Sequence, residues 1–277
     1  MLSDSPNEHS SDGLTIVVCV KPIPDPQQWS KITLDPSTKT LRREGIPSII
    51  NPVDKHAIEQ ALCLKEKHGG KVIIISMAPP FAISNLKEAM AMGADDAVLL
   101  SDRSFAGSDT LATSNVLAAG IRRLGKFDMI FCGKHSLDGY TGQVGPQIAE
   151  FLGIPHVTNV RKVDLKRQGL LQIENTIEYG HFLMEAQTPI LMTVTEQINT
   201  PRHISLIRMC EIMSKEVTIW TLKDLDIDKS LVGLSGSPTQ AVDLHMPEIE
   251  RRGEILEGDN ETVVKLLIER LRGFGVV

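Results

Sequence analysis

FDMIFCGKHSLDGYTGQVGPQIAEFLG, residues 127–153, is an apolar run that passes through a loop holding Gly139, Gly142 and Gly145 and emerges as an amphipathic pattern. FDMIFC carries no polar alternation beyond Asp128, so both of its faces are expected to be covered, as in a parallel strand lying beneath helices. Three other runs read the same way: LTIVVCV (14–20), KVIIISM (71–77) and DAVLL (96–100). Between and after these strands, residues 54–67, 82–92, 110–124 and 144–152 space their apolar side chains three and four apart, which predicts helices. Strand and helix therefore alternate, and the expected fold is α/β: a doubly wound, mostly parallel, Rossmann-like sheet.

Two regions break the alternation. SKITLDPSTKTLRREGIPSII (30–50) contains two short strand-like pieces around Asp35, Pro36 and Ser37, a hairpin inserted after the first strand. Residues 156–196 read as strands without helices between them and extend the sheet. Beyond Leu225 the chain is rich in Ser, Gly and Pro until a final helix, with Asp259 or Asn260 as its N-cap, an apolar face of Val263, Val264, Leu267, Ile268 and Leu271, and Gly273 closing it. The expected plan is a leader over 1–13, a nucleotide-binding α/β domain over 14–225 and a C-terminal arm over 226–277. An amphipathic helix on a loose arm needs a second surface, and a partner subunit would supply one.

Composition narrows the function. With a net charge of −6 and no basic stripe, the chain is not built for a nucleic-acid backbone, and 4% aromatic residues leave few stacking platforms. Cys19, Cys63, Cys132 and Cys210 are far apart, which points away from a zinc site or disulfide framework and fits a reducing cytoplasm. No run reaches the length of a membrane span, and the polar first dozen residues lack a signal core. There is no nucleophile elbow, no His-Glu-x-x-His and no Walker loop, and His56, His135, His156, His181 and His203 are scattered. No catalytic side chain and no metal is expected; chemistry, if present, belongs to a cofactor.

Ligands of open α/β sheets bind beyond the carboxyl ends of the strands, and those positions are polar and glycine-rich here. Asn51 or Asp54 would cap the helix after the hairpin and could also hydrogen-bond an adenine or ribose edge; capping alone explains them equally well. FAGSDTLATS (105–114) is a small-residue loop opening a helix, where Ser108 or Asp109 is the cap and where backbone amides attract phosphate. Gly139, Gly142 and Gly145 are expected to free the backbone for close approach ahead of the next helix. Two helix-opening loops at one rim suggest a bound nucleotide carrying phosphate.

Five separated stretches then fall in order: CVKPIPD (19–25), Asn51-Pro52, AMGAD (91–95), Gly133-Lys134 with Asp138-Gly139, and NTPR (199–202). Together they resemble the electron transfer flavoprotein beta subunit, from about Leu14 to Lys223. The resemblance implies a heterodimer with an FAD-carrying alpha subunit. One branch of that family keeps a structural AMP in the beta subunit; the other places FAD there, accepts hydride from NADH, and divides electrons between ferredoxin or flavodoxin and a flavin dehydrogenase. DGYTGQVGP (138–146) and FAGSDTLATS (105–114) resemble the FAD-holding loops of the second branch. The resemblance implies diphosphate and ribityl contacts at Asp109, Thr110, Thr113, Thr141, Gln143, Val144 and Gly145, adenosine-side contacts at Cys19, Asn51 and Asp54, and cofactor-loop positions at Gly133, Asp138, Gly139 and Pro146. It also implies docking of the partner dehydrogenase at Thr195, Glu196, Gln197, Ile198, Asn199, Pro201 and Arg202. The chain departs from the AMP branch at Met209–Lys215, where that branch has a lysine-rich run. The reading from another class is a non-redox adenine-nucleotide-binding regulatory module, which would have no use for the 195–206 segment or the arm.

Overall fold

The structure is a computed structural model that describes residues 13–31, 33–34, 41–42, 45–167, 169–240 and 253–276. In chain order it contains β1 (Leu14–Cys19), β2 (Pro22–Pro24), β3 (Thr33–Leu34), β4 (Leu41–Arg42), β5 (Ser48–Ile50), α1 (Pro52–His68), β6 (Gly70–Met77), α2 (Ile83–Met92), β7 (Asp96–Leu100), α3 (Thr110–Leu124), β8 (Met129–Gly133), α4 (Val144–Leu152), β9 (His156–Arg167), β10 (Leu170–Ile177), β11 (Gly180–Gln187), β12 (Ile190–Val194), α5 (Leu206–Met213), β13 (Thr218–Trp220) and α6 (Asn260–Gly273). Nine strands form one sheet in the order β11-β10-β9-β12-β8-β1-β6-β7-β13. The seven from β9 to β13 run parallel, and β10 and β11 add an antiparallel edge.

The expected α/β class, doubly wound with added strands, is the fold observed. Along β6 the side chains alternate between two dry layers: Val72 and Ile74 pack with α1 and α2, whereas Ile73 and Ile75 pack with α3. A parallel strand needs a covered face on each side because each crossover helix must bury its own apolar stripe. From β1 the chain steps outward to β6 and β7, then returns under α3 to place β8 on the opposite side of β1. That reversal opens a crevice between the carboxyl ends of β1 and β8.

Three features lay outside the sequence reading or refine it. The β9–β10–β11 meander is completed by β12, which inserts between β9 and β8. β13 is three residues long and pairs with β7, and α5 follows the 195–205 segment; both are too short to leave a periodic pattern. β3 and β4 pair antiparallel, as the inserted hairpin predicts, while its turn at Asp35–Ser37 lies outside the described residues.

The chain divides into two compact units at residues 241 and 242. Within the first, the stretch expected to begin the arm packs on the loop after β7: Val232 is buried, the Ser237 hydroxyl accepts from Asp109 N at 2.8 Å, and Thr239 N donates to the Asp109 carboxylate at 3.0 Å. In the second, Asp259 caps α6 by accepting from Thr262 N at 2.8 Å, and Glu254 and Arg270 pair at 2.9 Å. Val264, Leu267 and Ile268 on α6 are exposed.

If both faces of β6 are dry, Ile74→Ala and Ile75→Ala should each destabilise the protein by about 2–4 kcal/mol. Urea denaturation of the two variants checks this; a sheet with one wetted face would show the loss at only one position.

Candidate functional site

The crevice at the reversal is a cleft of about 400 Å³ lined by Cys19, Val20, Lys21, Asp54, Met77, Ser108, Asp109, Thr110, Thr113, Leu117, Cys132, Gly133, Lys134, His135, Ser136, Gly139, Thr141, Gly142, Gln143, Val144 and Gly145. Of the residues singled out for a cofactor, Cys19, Asp54, Asp109, Thr110, Thr113, Gly133, Gly139, Thr141, Gln143, Val144 and Gly145 meet there. Asn51, Asp138 and Pro146 are not among its lining residues. Lys21, Lys134 and His135 were missed as lining residues, although each lies within two residues after the end of β1 or β8, which was the available signal.

The floor is held by a buried carboxylate. Asp54 accepts from Lys21 N at 2.8 Å, from Gly133 N at 3.1 Å and from Asn51 Nδ2 at 3.0 Å, so one side chain joins the ends of β1 and β8 to the first turn of α1. Burial pushes its pKa up to about 7, against the lowering effect of those three donors and the Lys21 charge. Asn51 is N-cap by position, yet its side chain serves the next loop: Nδ2 also donates to His135 O at 2.9 Å, and Oδ1 accepts from Leu137 N at 3.2 Å. Cys19 and Cys132 follow the paired residues Val18 and Phe131, which sets the two thiols side by side. Burial, then the nearby Asp54 charge, pushes the Cys19 thiol up to about 12, so it stays protonated.

Two helix N-termini face the cleft and differ in kind. At α3, Asp109 is a true cap, accepting from Ala112 N at 3.0 Å. Burial raises its pKa, but the amides of Ala112, Thr239 and Leu111 outweigh that and hold it below the ordinary aspartate value. At α4, Gln143 occupies the cap position in helical backbone geometry and makes no capping bond. Its amide instead accepts from the Thr110 hydroxyl at 3.0 Å, joining the two helix starts. Pro146 removes one of the orphan amides of the first turn, and those of Val144 and Gly145 remain for a ligand.

The three glycines turn out to do different things. Gly142 has φ +64° and needs glycine's freedom to turn the loop. Gly145 is a packing residue: a Cβ there would lie 2.5 Å from Thr193 Cγ2, so its absence lets α4 sit down on β12. Gly139 has no special backbone angle, and a Cβ there would meet Ser136 Oγ at 3.5 Å, an ordinary contact. Between them Tyr140, exposed and at φ +53°, lays its ring 3.9 Å from that of His135. Burial, then the Lys134 charge, lowers the His135 pKa.

Residues 38–225 match the family model described as the electron transfer flavoprotein domain. The chain is 46% identical to the electron transfer flavoprotein subunit beta of Clostridium acetobutylicum over 94% of its own length and 98% of the relative's. It belongs to the electron transfer flavoprotein family, on the beta-subunit side. A beta subunit from Thermoanaerobacterium thermosaccharolyticum is 47% identical over 95% of this chain and 100% of its own. The caffeyl-CoA reductase-Etf complex subunit CarD of Acetobacterium woodii is 39% identical over 94% and 98%. Among the described residues no cluster of three or more His, Cys, Asp and Glu side chains could hold a metal, and no helix is long and apolar enough to cross a membrane.

In this family member the 195–202 segment lies against α1 and the loop after β8. Thr195 is buried and its amide donates to Val160 O at 3.0 Å; Ile198 packs on the core. Glu196 pairs with Lys134 at 2.9 Å. Asn199 Nδ2 donates to His56 O at 3.0 Å, while His56 Nδ1 lies 3.0 Å from Asn199 O. Pro201 is half-buried, and Gln197 is exposed. Arg202 meets Glu59 through its backbone amide at 3.0 Å, Nε at 2.9 Å and Nη2 at 3.0 Å, and Glu66 through Nη1 at 2.5 Å. Burial raises the Glu59 pKa, and the Arg202 contacts more than reverse it. Arg202 thus anchors the segment rather than presenting its charge outward.

Two outcomes follow from these contacts. Asp54, at about 7 in the fold against 3.8 ordinarily, binds a proton more readily folded than unfolded. Its contribution therefore favours folding at low pH and is lost as pH rises from about 4 through about 7, with a slope of at most about 1.4 kcal/mol per pH unit. Asp54→Asn should remove that part of the slope in denaturation series run between pH 5 and 8. Arg202→Ala strands the buried Glu59 carboxylate and should cost roughly 2–3 kcal/mol, less than a fully buried pair because the guanidinium is partly exposed; the difference in urea midpoint measures it.

Proposed function

We propose that the chain is the beta subunit of an electron transfer flavoprotein, paired with an alpha subunit that carries its own FAD, and that it holds a second FAD in the cleft between β1 and β8. Bound there, FAD would supply the redox chemistry, accepting a hydride from NADH and releasing electrons toward ferredoxin or flavodoxin and toward a flavin dehydrogenase. The observation that carries the reading is the uncapped start of α4, whose Val144 and Gly145 amides open into a cleft also lined by Thr110, Thr113, Thr141 and Gln143. Such an end carries a partial positive charge and suits a phosphate. The relative from a caffeyl-CoA reductase-Etf complex, in which such a subunit accompanies a reductase, supports the bifurcating branch.

The chain's own part is to bind and orient. Protonated Cys19 and Cys132 and the apolar Val20, Met77 and Leu117 make a low-polarity floor, hydroxyls and amides make the rim, and Asp54 keeps β1 and β8 in register beneath both. The 195–202 segment, anchored by Arg202 and His56, would present Gln197 and neighbouring exposed side chains to the dehydrogenase.

A second reading has its own support. Asp109 already occupies the start of α3, which leaves one open helix terminus, enough for the single phosphate of AMP. The test is nucleotide release from the purified heterodimer followed by mass identification. Two FAD per heterodimer, with bleaching on addition of NADH, is the expected result; one FAD with one AMP selects the plain electron shuttle. Gln143→Asp would set a carboxylate at the open end of α4 and should weaken nucleotide retention by about tenfold or more, with little change in melting temperature.

A further inference from the structure

Lys134 stands in the wall between two hollows. It lines the nucleotide cleft, and with His135, Tyr140, Gly142, Asn159 and Thr193 it also lines a smaller one of about 270 Å³. Its ammonium is committed to Glu196 at 2.9 Å, and its backbone amide donates to Val194 O at 2.9 Å, so it is fixed at both ends to β12 and the segment that follows. The Lys134 side chain is 27% exposed and that of Glu196 45%, so neither is locked away from solvent or from a ligand. Burial raises the Glu196 pKa, and the Lys134 contact brings it below the ordinary glutamate value, so its carboxylate is ionised at neutral pH.

We infer that an anionic group in the cleft competes with Glu196 for the Lys134 ammonium, so that nucleotide occupancy and the conformation of the 195–198 segment are linked. This rests on the nucleotide reading of the cleft. The physical reason is that a cation shared between a carboxylate on one side and a phosphate on the other divides its field between them; each acceptor weakens the other by the same factor. Glu196 is a positioning residue in this account. It does not touch the nucleotide but sets how much of the lysine's charge the nucleotide receives. The remaining anchors of the segment, Thr195 on Val160, Asn199 on His56 and Arg202 on Glu59 and Glu66, do not involve Lys134, so both of its ends stay in place when the Glu196 contact is released.

The experiment uses the heterodimer stripped of bound nucleotide, with ADP and adenosine as probes in calorimetric titrations. Glu196→Gln removes the competing charge and should tighten ADP binding about two- to fivefold, the range set by a partly exposed ion pair. Adenosine, which has no phosphate, should bind wild type and variant alike, and the ADP gain should shrink in high salt. Glu66→Gln, which removes an ion pair from the same segment without touching Lys134, should leave ADP affinity unchanged. In hydrogen exchange, ADP should speed the amides of 196–198 in wild type and not in Glu196→Gln. Equal ADP affinity in wild type and Glu196→Gln, or an equal gain for adenosine, overturns the competition and leaves the nucleotide reading standing. Failure of wild type to bind either probe overturns both.

Discussion

The carboxylate of Asp54 is the constraint on which the site depends. At the reversal point of a doubly wound sheet the two central strands diverge into separate crossovers, and nothing in the sheet ladder itself ties their ends together beyond Cys19 and Gly133. Asp54 supplies that tie by accepting from the amides of Lys21 and Gly133, while Asn51 steadies it and reaches on to His135 and Leu137. Gly133 must lack a side chain for this to work, since a Cβ there would fall 2.4 Å from Asp54 Oδ1. Among the described residues no ammonium or guanidinium bonds directly to this carboxylate. Two backbone amides, the Asn51 side-chain amide and the nearby Lys21 charge favour its ionised form, and burial outweighs them.

Local geometry at the two helix starts separates positions that look alike in sequence. Asp109 and Gln143 both precede a helix beside small residues. Aspartate reaches its own helix's amide from an extended backbone, whereas Gln143 is already helical and its longer amide turns sideways to Thr110. One terminus is thereby closed by the chain and the other left open, an asymmetry that would direct the phosphate of the proposed nucleotide toward α4.

The layers of the fold were legible in the sequence because they rest on long signals. The four apolar runs fall on β1, β6, β7 and β8, and the helix at 110–124 is α3 residue for residue. What was not legible was short or tertiary. β13 has three residues, and its place depends on the free edge of β7. The placement of β12 inside the sheet, after β11 has formed an edge, cannot be read from periodicity, because the order of strands is set by which helix covers which face. At the site, residue types at strand ends picked out the cleft, but not the division of labour: Gly145 serves packing, and Asn51 and Asp54 brace a loop and two strands. Hydrogen-bond partners at sequence separations such as that of Asn51 and Leu137 leave no local pattern.

Charge at the cleft follows the same economy. Its two lysines are both engaged with carboxylates, Lys21 with Asp138 at 2.7 Å and Lys134 with Glu196 at 2.9 Å. An incoming phosphate therefore meets amide dipoles first and cations second. A site built from free lysines would attract any polyanion at long range and would lose its affinity steeply with salt; one built from short-range amides selects by fit to the α4 terminus, because a dipole's field decays within the first turn. The paired lysines then add attraction only to a ligand already seated closely enough to compete with their carboxylates. Discrimination among anions in this cleft is on that account a matter of shape before charge, which would suit the proposed nucleotide cofactor, held in place while electrons are exchanged.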